Sequence, residues 1–235
     1  MDFRNGVKDG LAIGLGYLSV SFSFGILAVT CGLSWWQAVL VSLTNLTSAG
    51  QVAGVGIMAS GGSLIEMAIA TLVINLRYSL MGISLSQKTD ETMNTPARLF
   101  SGFFITDEIF GVASSKEGRV SFGYMRGIAL LPVAGWTMGT LLGAVLGNIL
   151  PDIVTSALSI AIYGMFIAIV LPASRKSKAV LIVSVISCIL AAVFYYVPVL
   201  KDNISSGFAT IICSVAAALL GAFLMPSSAK EENNG

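Results

Sequence analysis

Hydrophobic positions in this chain run together in long blocks instead of alternating with polar ones. Apolar stretches cover residues 11–31, 35–59, 63–85, 97–115, 122–147, 153–171, 178–198 and 205–225. Each approaches or exceeds the roughly 20 residues that a helix needs to cross the hydrocarbon core of a bilayer. The pattern predicts an all-α fold, a polytopic integral-membrane helical bundle of about eight spans. The transmembrane domain is expected over residues 1–226, followed by a disordered cytoplasmic tail over 227–235, "SSAKEENNG". Prolines punctuate the short connections: Pro96 opens the fourth stretch, and Pro172, Pro198 and Pro226 close the sixth, seventh and eighth. The first stretch is as long as a full span and lacks a convincing cleavage site, so it is expected to be a retained helix and not a signal peptide.

Polar residues inside these blocks are few, and therefore informative. In "SLTNLTSAGQVAGVG", Thr44, Thr47, Ser48 and Gln51 follow one another at the spacing of a single helical face, with Gly50, Gly54 and Gly56 close behind. A polar stripe beside glycines predicts a cavity-lining element, since interrupted membrane helices expose backbone groups to a ligand. "LVINLRYSLMGI" places Arg77 in mid-span, and "RLFSGFFITDEIFGVAS" places Asp107 and Glu108 there. A charge at that depth costs about 3 kcal/mol or more, so such groups usually have partners and a task. The expectation is an ion pair between Arg77 and one of the two acids, with the other carboxyl free to take up and release a proton. Asn75 lies two residues before Arg77, so on a regular helix the two serve different neighbours. Glu66 is expected at a helix end, within reach of the membrane surface.

Gly135, Gly139, Gly143 and Gly147 repeat at intervals of four, a smooth face for close packing within the chain or against a partner. "GVKDGLAIGLGYL" at residue 6 faintly resembles "GYMRGIALLPVAG" at residue 123; Gly and Ala matches are common in membrane helices, so the sequence leaves an internal repeat open.

Composition narrows the function. Hydrophobic residues make up 55% and charged residues 11%, against about 25% charged in ordinary soluble domains. Net charge is +1, which gives no reason to expect nucleic acid. There is no histidine, and Cys31, Cys188 and Cys213 are scattered without ligand spacing, so neither a metal nor another cofactor is expected. With the N-terminus in the cytoplasm, eight spans leave Arg4, Lys8, Lys116, Arg119, Arg126, Arg175, Lys176, Lys178 and Lys230 inside. Only Lys88, Arg98 and Lys201 fall outside, as a plasma-membrane protein with both termini cytoplasmic requires.

In order along the chain, "GLAIGLGYLSVSFSFGILA", "TSAGQ", "NLRYSLMG", "TDEIFGV" and "GTLLGAVLGNILPD" resemble the AzlC family of branched-chain amino-acid exporters, over residues 6–172 and beyond that by hydropathy. The resemblance implies the large subunit of a two-component exporter of valine, leucine and isoleucine, working with a small hydrophobic AzlD-type membrane subunit. It also implies that Gln51, Asn75, Arg77, Asp107 and Glu108 match characteristic positions of the family, without giving them roles. Three departures stand out: Tyr78 where many relatives have His, Ser19 where many have Pro, and "LTS" in place of "FAG" before Gln51. A histidine relay is thereby excluded.

The expectation is a transporter, not an enzyme, driven by the proton gradient or the membrane potential. Thr47, Gln51, Asn75, Arg77 and Asp107 are its candidate substrate-binding residues, and Glu108 and Asp107 its candidate proton-coupling residues. Two other classes compete: an intramembrane enzyme using paired acids, which lacks an acid dyad drawn from separate elements, and a non-transporting assembly subunit.

Overall fold

The computed structural model describes residues 2–147 and 149–224, so the expected tail lies outside the described residues. Regular structure among them is helical: α1 Phe3–Thr30, α2 Trp35–Thr44, α3 Ala49–Ala59, α4 Leu64–Ser86, α5 Thr95–Phe103, α6 Asp107–Ser115, α7 Phe122–Leu146, α8 Asp152–Lys176, α9 Lys178–Tyr196, α10 Pro198–Asn203 and α11 Ser206–Leu224. Among the described residues, α1, α4, α7, α9 and α11 are long and apolar enough to cross a membrane. Two compact units share the chain, one of Met1–Val55 and Asn75–Gly164, the other of Gly56–Ile74 and Met165–Gly235.

The first unit is built on a seam between α1 and α7. Gly6 meets Tyr124 and Gly127 near one end, and Gly25 meets Thr140 and Gly143 near the other, so the two helices run parallel. The contact is backbone on backbone: a Cβ on Gly143 would lie 2.0 Å from the Phe22 carbonyl oxygen. The glycine run of the fifth stretch thus packs within the chain, and the similar openings of α1 and α7 supply the two sides of one interface. At the end where α1 begins, Asp9 accepts from Lys116 at 2.9 Å and from the Tyr124 hydroxyl at 2.8 Å.

The stretches at 35–59 and 97–115, expected to be spans, are each a pair of short helices that fold back. Gln51 Nε2 donates to Ser42 Oγ at 3.1 Å, which a straight helix would hold about 13 Å apart. Ser42 in turn pairs with Thr140 of α7 at 2.7 Å, while Leu46, at the turn, packs on Trp136. α2 therefore descends along α7 against its direction, and α3 climbs back. Residues 45–48 leave the helix because Asn and Thr side chains compete for local bonds: Thr47 Oγ1 donates to Asn45 Oδ1 at 2.8 Å, and Ser48 takes φ +34°. The four polar residues expected on one helical face are consequently divided among α2, the turn and α3.

The second hairpin, α5–α6, enters from the end where α1 begins. Residues before α5 bond to residues after α6: Asp90 N–H donates to Val120 O at 3.0 Å, Val120 N–H to Lys88 O at 2.9 Å, and Phe122 N–H to Thr92 Oγ1 at 2.9 Å. Lys88 Nζ donates to the carbonyls of Ser114 and Lys116, satisfying the end of α6. Lys88 and Lys116 therefore occupy the same end of the unit, where an eight-span threading separates them. Each nine-residue helix is about 14 Å long, half the thickness of a hydrocarbon core.

In the second unit α9 and α11 run antiparallel, with Val183 against Gly221. Glu66 is not at the surface: it is only 3% exposed. Its N–H donates to Ser63 Oγ at 3.1 Å, capping α4, and its carboxylate accepts from Ser205 Oγ at 2.5 Å and Gly207 N–H at 2.9 Å. A buried N–H at the start of α11, with the Ser205 hydroxyl before it, takes an acid that the hydropathy pattern assigned to the interface.

Candidate functional site

Both hairpins end at the middle of the α1–α7 seam. Tyr17, Leu46 and Trp136 form a small core there, and Phe104, from the turn of the second hairpin, packs against it. Two stretches of non-helical backbone thus meet at one depth, supported by a Tyr17–Trp136 edge contact with ring centroids 5.3 Å apart. Membrane proteins tolerate such backbone only where it is covered by protein or faces a cavity, and transporters build substrate sites from it.

Asp107 and Glu108 lie in the first turn of α6, not in mid-helix. Thr106 caps that turn, its Oγ1 accepting the Ile109 N–H. Unbonded N–H groups at a helix start favour negative charge by about 0.3–1 kcal/mol, and more where burial is partial. A helix beginning inside the apolar layer is therefore a physical reason for two adjacent acids at this depth. Arg77 Nη1 pairs with Asp107 Oδ2 at 2.9 Å, the side chains being 37% and 24% exposed. Its Nη2 donates to the Tyr78 hydroxyl at 3.1 Å, with the guanidinium 4.9 Å from the center of that ring. Tyr78, one of the three departures from the family pattern, is thus a direct neighbour of the arginine. Glu108 takes a different partner, the hydroxyl of Tyr17, which also lies 2.7 Å from Thr106 Oγ1.

Asn75 serves other neighbours, on an unbroken α4. Its carboxamide lies against Gly50, where an added Cβ would stand 3.0 Å from both its oxygen and its nitrogen and 2.5 Å from Thr47 Oγ1. Gln51, 1% exposed, faces Ser42 instead. The structure thus brings Thr47 and Asn75 together at Gly50, joins Arg77 to Asp107, and gives Gln51 and Glu108 separate partners.

Among the described residues, four buried side-chain atoms of residues that touch the hairpins or their shared core have no hydrogen-bond partner, Gln51 Oε1, Asn75 Oδ1, Arg77 Nε and Trp136 Nε1, as do the hydroxyls of Ser23 on α1 and Thr137 on α7. Of those four, two are acceptors and two are donors. Buried polar atoms are normally paired, so each of these is a position open to a complementary donor or acceptor.

Tyr17, Ser42, Trp136 and Thr140 were not singled out from the sequence. A phenol or an indole in mid-span was the available signal, since each buries a large ring yet needs a partner for its polar atom. Ser42 and Thr140 carried none, because isolated hydroxyls are ordinary in membrane helices.

Residues 12–150 match the model of a family described as AzlC protein. The chain is 28% identical over 229 residues to inner membrane protein YgaZ of Escherichia coli, covering 94% of this chain and 91% of the relative. It is 32% identical over 172 residues to an uncharacterized membrane protein of Archaeoglobus fulgidus, covering 72% and 75%. No solved structure matches. The family match takes in both hairpins and most of the α1–α7 seam on which they converge, and the chain belongs to the AzlC family.

Proposed function

We propose that this protein is the large subunit of a plasma-membrane exporter of branched-chain amino acids, acting with a small AzlD-type subunit. In this reading α1, α4, α7, α8, α9 and α11 cross the membrane, while α2–α3 and α5–α6 enter it from opposite sides without crossing. Both termini are cytoplasmic. Lys88 and Arg98 then join the cytoplasmic basic residues, so that eleven of thirteen lie inside, Lys201 lies outside and Arg77 lies within the membrane.

The observation that carries the proposal is the meeting of two hairpin tips on one core, with unpaired donors and acceptors on residues that touch them. A zwitterion fits such a place. Its carboxylate is received by Arg77, whose Nε has no protein partner, and by backbone N–H groups near Gly50. Its ammonium is received by the side-chain oxygens of Asn75 and Gln51, by Thr47 and by Asp107. Leu46, Ile13, Val20 and Phe104 offer apolar surface for an aliphatic side chain. Glu108 exchanges a proton with each cycle, because Asp107 is neutralised by Arg77 and Glu108 is, among the described residues, the acid of this pair left without a cation.

Valine efflux from preloaded vesicles containing this chain and its small partner is the test. Loss of efflux in Arg77→Ala, with assembly intact, supports the substrate site; lost assembly reduces Arg77 to a structural part. A Glu108→Gln protein that transports at full rate with unchanged pH dependence would rule out proton exchange there.

A further inference from the structure

The Tyr17 hydroxyl stands between two oxygens of the second hairpin, Thr106 Oγ1 at 2.7 Å and Glu108 Oε2 at 2.5 Å. A phenol has one hydrogen and donates it to one acceptor at a time. The ring is 8% exposed and held edge-on by Trp136, so the hydroxyl keeps its place. An ionised Glu108 can only accept; it takes the phenol hydrogen, and the Thr106 hydroxyl turns to donate to the phenol oxygen. A protonated Glu108 donates to the phenol oxygen instead, and the phenol hydrogen passes to Thr106 Oγ1. The link between α1 and the hairpin tip thereby changes from a charge-assisted bond to neutral ones, which are about half as strong.

We propose that Tyr17 is a positioning residue through which the protonation state of Glu108 sets how tightly the α5–α6 tip is held to α1. This rests on the reading of Glu108 as a proton-exchanging group. The charged and titratable neighbours of Glu108 are Asp107 beside it on α6, Tyr17 on α1, and Arg77 and Tyr78 on α4, with Arg77 committed to Asp107. α7 presents Trp136, which does not titrate, to the other side of Tyr17. Thr106 is the cap of α6, so a change in its bonding acts where the hairpin turns.

Nitroxide pairs at Leu15→Cys and Phe103→Cys, both on exposed positions, report the separation of α1 and the tip in the full chain reconstituted with its partner. Cys31, Cys188 and Cys213 are first replaced. With Tyr17 present, the distance distribution is expected to move or broaden as falling pH protonates Glu108. Glu108→Gln, which mimics the protonated acid, is expected to give the low-pH distribution throughout; Tyr17→Phe, which keeps the ring but removes both bonds, is expected to give a distribution at least as broad that does not change with pH. Replacing Tyr17 by 3-fluorotyrosine retains the shape and makes the hydroxyl a stronger donor; it favours ionised Glu108, so the midpoint moves to lower pH. A pH response that survives in Tyr17→Phe, or a midpoint that fluorination leaves unmoved, overturns the proposal. Distances are measured without transport: efflux missing from a chain that shows the Tyr17-dependent response sinks the exporter reading alone, and normal efflux with distances indifferent to Tyr17 sinks the positioning role alone.

Discussion

The two hairpins enter from opposite ends of the first unit and stop at the same Tyr17–Trp136 core, but different chemistry holds their tips. The α2–α3 turn is neutral: Ser42, Gln51 and Thr140 bond to one another, and Thr47 to Asn45. The α5–α6 turn carries charge, with a capped helix start, two acids, and an arginine from α4. A neutral tip has nothing that responds to pH or to the membrane potential. A charged one does, so under the proposed export mechanism the pair would divide into a fixed wall and an element open to the proton gradient.

The most decisive way to break this comparison is to ask whether both are hairpins. Glu91→Cys and Glu117→Cys, at exposed positions before α5 and after α6, are expected to react with an impermeant thiol reagent from the same face of the membrane. Labelling from opposite faces would make α5–α6 a span and remove the symmetry. Next in size is the charge. Asp107→Ala leaves Arg77 without its carboxylate, and a bond to a charged group contributes about 1.5–3 kcal/mol, so efflux is expected to fall by roughly tenfold to hundredfold. At the neutral tip, Gln51→Leu removes the buried bond to Ser42, of about 0.5–1.5 kcal/mol, and one of several acceptors for the ammonium, so a few-fold effect on efflux is expected. A Gln51→Leu defect larger than that of Asp107→Ala would mean that the neutral hairpin carries the chemistry.

Much of this arrangement can be read in the residues alone. The glycines of α7 announce a close seam, and an arginine and two acids in apolar runs announce a pair, because each feature is expensive without the partner it implies. The direction of the chain was hidden. "SGFFITDEIF" stays apolar up to Thr106, and hydropathy cannot distinguish a helix that continues from one that turns and starts again. A threonine followed by two acids is nevertheless a helix-start signature, and reading it as such would have placed the turn. Lys88 and Arg98 on the outer side of an eight-span threading were a second signal, since the hairpin carries both to the basic end. Glu66 was misplaced for a related reason: "SLIE" is a capping box, but its carboxylate answers the start of α11, and nothing local in the chain indicates that neighbour.

The smallest expected effect tests the fold of the neutral hairpin most directly. Were residues 35–59 one helix, Thr44 and Gln51 would lie two turns apart on a common face and would line the same surface. Folded back, they differ. Thr44 is exposed, and its hydroxyl donates to Leu40 O of its own helix at 2.8 Å; Gln51 is buried against Ser42. Thr44→Val keeps the shape and gives up only that local bond, so stability and efflux are expected to stay within about 0.5 kcal/mol of the parent protein. Thermal unfolding in detergent together with vesicle efflux checks both quantities. A Thr44→Val defect as large as that of Gln51→Leu would restore the continuous polar face, and the two tips would then have no common depth at which to hold a substrate.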